Sequence, residues 1–130
     1  MKTLNQLRDE IHENAKNKGF WDNERETGTL LMLCVSELAE AMEADRRGKY
    51  ADIAAYNECE NADDIFEGDK QIYLVSSFQC LIKDTFEDEL ADTIIRILDL
   101  CGARGIDIDK HIELKMKYNQ NRERMHGKKY

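Results

Sequence analysis

Apolar residues recur at three- and four-residue intervals along much of the chain, the spacing of one face of an α-helix. Leu4, Leu7, Ile11 and Ala15 set that rhythm between Thr3 and Lys18. A loop, Gly19 to Glu26, holds the only tryptophan. A second helix is predicted from Thr27 to Arg47, where RRGK supplies the cations and the glycine that end helices well. A third is predicted from Thr85 to Arg104, with Thr85 as N-cap, Asp88 three residues on, and Gly105 as the left-handed stop. Asp107 or Asp109 then caps a last helix running to about Arg124. The segment from Lys49 to Asp84 is less regular: the acidic stretch NECENADDIFEGDK precedes the apolar run IYLVSSFQCLI. That run has strand-like composition, but its length and helical neighbours favour a short helix. The chain has no proline, as a chain of long helices should, and the reading is one all-α domain over residues 1–130.

Composition narrows the function classes. Hydrophobic residues at 42% and charged residues at 35% suit a soluble globular protein. MKTLNQLRDE has no apolar core of a signal peptide, so a cytoplasmic location is expected, with no membrane partner. Cys34, Cys59, Cys80 and Cys101 are far apart, which argues for reduced thiols and against a zinc knuckle. A net charge of −8 argues against a nucleic-acid partner. The charge is uneven, however: from Lys110 onward seven basic residues face two acidic ones, so the rest of the chain carries −13. An acidic body with a basic tail can attract a cation to one part and an anion to the other.

The acids carry the sharper signal. With residues about 100° apart around a helix axis, Leu30, Leu31, Cys34, Leu38, Ala41 and Met42 form one arc of the second helix. Glu37 falls at its rim and Glu40 just beyond. On the third helix Leu90, Ala91, Ile94, Ile97, Leu98 and Cys101 form the arc, with Glu89 and Asp92 together on one side. Arg96 follows Asp92 by four residues on the same strip, so the bland alternative is a solvated face with an Asp92–Arg96 helix pair. A carboxylate beside a core is costly unless it is paired or holds a cation. If the two helices pack antiparallel, ExxE faces ExxD, and four converging carboxylates call for a hard divalent cation, Mg²⁺ or Mn²⁺. Di-iron bundles use Glu-x-x-His, whereas these two pairs hold carboxylates only.

SELAEAMEA and EDELADTIIRILDL, with Glu37-x-x-Glu40 followed by Glu89-x-x-Asp92, resemble the metal-ligand signature of the MazG-like, all-α nucleoside triphosphate pyrophosphohydrolases. Lys115, Asn119 and Arg122 in KMKYNQNR resemble that family's contribution to a triphosphate site, and HGKKY resembles the tail of a small bacterial and phage-associated branch. The resemblance spans roughly residues 10–48 and 84–130. The gap of 48 residues between Glu40 and Glu89 departs from the family's compact members and marks an insertion at about 49–84. The resemblance implies a bundle of four main helices; the second and third helices are apolar on more than one face, and that surplus predicts completion as a homodimer or homotetramer. It implies Mg²⁺-dependent hydrolysis of a (d)NTP to the monophosphate and pyrophosphate. Glu37, Glu40, Glu89 and Asp92 would hold the ion, Glu37 or Glu40 would activate water, and Lys115 and Arg122 would pair with the distal phosphates.

Other residues stay open. Trp21 suits either a nucleobase-stacking platform or a lid over the core. His126, Lys128 and Lys129 suit either a flap over the triphosphate or a solvated tail, and His12 reads as a core-satisfied or exposed histidine. The competing reading is a non-catalytic acidic helical interaction module, such as a phage-type host-factor binder. It explains the charge but not the paired acids.

Overall fold

The computed structural model describes residues 1–129, which form six α-helices and one short 3-10 turn; among these residues there is no strand. The helices are α1 (Leu4–Asn17), α2 (Thr27–Arg46), α3 (Ile53–Glu60), α4 (Glu67–Leu81), α5 (Phe86–Arg104) and α6 (Ile108–Gln120), and the 3-10 turn is Arg124–Gly127. The all-α expectation therefore holds, and IYLVSSFQCLI is helical, as the end of α4. The last helix stops about four residues earlier than expected. Asn121 ends it, and the chain then turns through left-handed backbone at Met125 and His126. No described helix is long and apolar enough to cross a membrane. The chain divides into two compact units, one of residues 1–25 with 97 onward and one of Glu26–Arg96.

In the first unit, Thr3 and Gln6 form a capping box: the Thr3 hydroxyl accepts from the Gln6 N–H, and the Gln6 side chain accepts from the Thr3 N–H. The first amides of α1, at Leu4 and Asn5, donate to the Asp109 carboxylate at 3.2 and 3.0 Å. Asp107 caps α6 by accepting from the Lys110 N–H. The two candidate capping acids thus serve different helices, because each carboxylate finds a separate set of orphan amides. Leu98 and Cys101 are the buried apolar residues of this unit.

In the second unit, α2 carries two parallel stripes. Leu30, Cys34, Glu37, Ala41 and Ala44, at alternating four- and three-residue steps, are buried. Leu31, Val35, Leu38 and Met42 follow the same rhythm about a third of a turn round the helix and stay half exposed, between 48% and 51%. The single apolar arc read from the sequence is therefore split into an inward and an outward half. α3 packs on α4 through the Tyr56 and Phe78 rings, 6.5 Å apart. The base of this pair is closed by Asp52 N–H donating to the Leu81 carbonyl (3.1 Å), Phe86 N–H to the Lys49 carbonyl (2.9 Å) and Ala51 N–H to the Glu87 carboxylate (2.9 Å).

Candidate metal centre

α2 and α5 bring the predicted acids together within the second unit. Thr85 sets the start of α5: its buried hydroxyl donates to the Ile82 carbonyl at 2.6 Å and accepts a long bond from the Asp88 N–H. One carboxylate oxygen each from Glu37, Glu89 and Asp92 then lies within 4.8 Å of the others. Glu37 and Glu89 are each 6% exposed, while Asp92 is open to solvent. Glu40, the fourth predicted ligand, stands outside this group on the exposed side of α2 and shares a side-chain hydrogen bond with Glu37. Among the described residues no amide, hydroxyl or cationic side chain donates to the Glu89 carboxylate; its hydrogen-bond partner is Glu37, another acid.

Arg96 turns away from the bland alternative. Its Nε donates to Glu37 Oε1 at 2.6 Å, across from α5 to α2, and it makes no helix pair with Asp92. The long guanidinium stem reaches a buried carboxylate, where the local dielectric is lower and the bond is worth more than one to the exposed Asp92.

The protonation pattern follows from that geometry. Burial pushes Glu37 up, but the bonds from Arg96, Glu40 and Glu89 outweigh it and bring the group below its ordinary value. Burial first, then the bond to Glu37 and the charges of Glu40, Glu37 and Asp92, push Glu89 up to about 7. Burial and the charges of Asp88 and Glu37 raise Asp92, and the bond to Glu37 raises Glu40. Glu37 is thus the ionised centre of the group, and its neighbours hold their protons more tightly than free carboxylates.

An all-oxygen set suits Mg²⁺ or Mn²⁺. Octahedral ligands at the Mg²⁺ distance stand about 3 to 4 Å apart, so the three carboxylates fit such an ion after a small inward shift. A second group, Asp84, Asp88 and Glu89, was not anticipated from the sequence, although its oxygens also lie within 4.8 Å of one another. Its members already have local partners: Asp84 pairs with Lys83 at 2.6 Å, and Asp88 accepts from the Asp84 N–H at 2.9 Å.

The predicted substrate residues lie in the first unit. Lys115, in α6, and Arg122, just beyond its end, hold their cationic groups 5.2 and 5.4 Å from the Tyr118 ring centre. Arg122 also donates to the His126 carbonyl at 3.2 Å. The buried Oδ1 of Asn119 has no hydrogen-bond partner, and Lys129 is exposed. Trp21 is tied down: its Nε1 donates to both Asp99 oxygens (2.9 and 3.1 Å), its ring meets His12 edge-on, and Arg25 lies over it at 5.3 Å. His12 Nδ1 is 2.7 Å from Asp99 Oδ1, so it is a satisfied, half-buried histidine. Asp99 escaped the sequence reading; an acid between Leu98 and Leu100 inside an apolar helix end was the available signal.

No protein-family model matches this chain, and no curated protein or solved structure matches it.

Proposed function

We propose that the protein is a Mg²⁺-dependent nucleoside triphosphate pyrophosphohydrolase of the MazG-like kind, cutting a (d)NTP to the monophosphate and pyrophosphate in nucleotide-pool housekeeping. The observation that carries the reading is the meeting of the buried Glu37 and Glu89 with the exposed Asp92, in which Glu89 faces acids instead of donors. Burying a carboxylate this way is costly until a cation arrives. Glu37, Glu89 and Asp92, with Glu40 beside them, would hold the ion. Its chemistry there is to neutralise charge building on the departing phosphate oxygens.

In the reaction, a water oxygen bonds to the α-phosphorus while the bond from that phosphorus to the bridging oxygen breaks, and pyrophosphate leaves with the electron pair. Glu40 is the better choice for the group that takes the water's proton. It is exposed, outside the three-acid group, and its raised proton affinity makes it a stronger base near neutral pH. In this reading Lys115 and Arg122 neutralise the distal phosphates, Asn119 donates through its amide, His126 and Lys129 close over them, and Trp21 serves the base.

The four-helix bundle and its completion as a homodimer or homotetramer belong to the same proposal. The half-exposed stripe Leu31, Val35, Leu38 and Met42 supports a second copy as its cover. That stripe also suits a non-catalytic interaction module, a reading that leaves the buried acids without a purpose.

The deciding experiment is pyrophosphate release from a panel of dNTPs and NTPs with Mg²⁺, comparing wild type with Glu40→Gln and Asp92→Asn. Release by wild type that both variants lose is expected. No release from any nucleotide, together with no Mg²⁺-dependent thermal stabilisation, overturns the proposal.

A further inference from the structure

Arg96 is the one cationic side chain hydrogen-bonded to the three-acid group among the described residues, and it uses only part of its bonding capacity there. A guanidinium has five N–H donors. One, on Nε, is fixed to Glu37 Oε1 at 2.6 Å. Neither Nη nitrogen donates a hydrogen bond to a described residue, and the side chain is 38% exposed. The Arg96 side chain thus keeps part of its surface in solvent while its Nε is anchored to a side chain that is 8% exposed. Such an anchored fork has little rotational freedom left to lose when it takes a second partner. The acids around it would repel a second anion until a cation lies among them, so a phosphate partner and the cation arrive together. A planar pair of donors matches two oxygens of one phosphate group.

We infer that Arg96 is a substrate-contact residue: anchored through Nε to Glu37, it offers its Nη edge to a phosphate group held at the carboxylate cluster. The inference deepens the pyrophosphohydrolase reading and rests on it, adding a phosphate ligand from α5. It also gives Glu37 two tasks, with one oxygen held by Arg96 and the other left for the cation.

Calorimetry on the full chain separates the possibilities, with Mn²⁺ alone as one probe and inorganic pyrophosphate at saturating Mg²⁺ as the other. Wild type is compared with Arg96→Gln and with Arg96→Lys, which keeps the charge and loses the fork. Helical content is checked by circular dichroism. Loss of a charge-assisted bond predicts pyrophosphate binding weakened about tenfold or more in Arg96→Gln. Arg96→Lys should recover only a small part of that loss, and Mn²⁺ affinity should change by less than about threefold in both. Pyrophosphate binding as tight in both variants as in wild type overturns the inference and leaves the pyrophosphohydrolase reading standing. So does an equal loss of Mn²⁺ and pyrophosphate affinity, which would make Arg96 a support for Glu37 alone. Wild type that binds neither probe overturns both.

Discussion

Asp99 and Glu89 are carboxylates on the same helix, both largely removed from water, and they are satisfied in opposite ways. Asp99 is surrounded by donors: the Trp21 indole N–H at 2.9 and 3.1 Å, and His12 Nδ1 at 2.7 Å. Glu89 looks onto Glu37 and Asp92 and finds its hydrogen bond on another acid. The first arrangement is complete as it stands, since the lone pairs are filled and the acid ties α1 and the Trp21 loop to α5. The second is complete only when a proton or a cation is added. Burial alone therefore does not mark a functional acid; the identity of its neighbours does.

The largest effects should come from cutting the acid-on-acid cluster. If a cation works there, Glu37→Gln should lower pyrophosphate release by about 100-fold or more. Asp99→Asn should change release far less when rates are taken per folded molecule. Parallel rate measurements on the two variants test this, and equal losses would erase the distinction between the two acids.

The next effect concerns stability and has a definite sign with pH. Glu89 holds its proton up to about 7 in the native state, against an ordinary value of 4.5. Between those values the native protein binds more protons than the unfolded chain, so stability falls as pH rises through the window. Below 4.5 the acid contributes nothing, and above about 7 its full penalty is present. With a chelator present, the Tm of wild type should fall by several degrees from pH 5 to pH 7.5. Glu89→Gln should flatten that slope, and Mg²⁺ should restore the lost Tm in wild type only. A melting curve as steep in Glu89→Gln as in wild type would place the strain elsewhere.

Around Asp99 the expected change is smaller and purely structural. A Cβ on Gly102 would lie 2.5 Å from His12 Cβ, so α1 approaches α5 closely enough to require glycine there. Gly102→Ala should cost about 1–3 kcal/mol through overpacking. Asp99→Asn should cost about the same by leaving the His12 and Trp21 donors poorly matched. Urea unfolding measures both. Because the two changes share His12, the double variant should lose less than the sum of the single losses.

How much of this was legible in the sequence depended on whether the controlling force was local. The long helices declared themselves through apolar spacing, through the cap at Asp107, and through Gly105, whose φ of 62° suits a helix stop. α3 did not, because eight residues, IAAYNECE, give too little periodicity to read, and its ring contact with Phe78 lies across a turn. The ExxE and ExxD spacing located the acids but not their orientation. Helix geometry places Arg96 within reach of Asp92, and only the packing of α2 against α5 makes the buried Glu37 its partner. An apolar surplus on α2 was legible, but which half faces outward was not, since Leu31 and Leu30 look alike until a neighbour covers one of them.

The smallest predicted effect sharpens the comparison from the other side. Asp84, Asp88 and Glu89 also bring oxygens within 4.8 Å, yet Asp84 is exposed and already paired with Lys83. Its φ of 59° lies in the left-handed region, which asparagine tolerates as well as aspartate does. Asp84→Asn therefore keeps the backbone turn and removes one exposed charge whose partner is a flexible lysine, an interaction of little worth in water. Its Tm should stay within about 2 °C of wild type, and Mn²⁺ affinity within about twofold. A larger loss of Mn²⁺ affinity would mean that an exposed acid with a partner of its own can still serve a cation. The division drawn between Asp99 and Glu89, by what each carboxylate faces, would then be too strict at the surface.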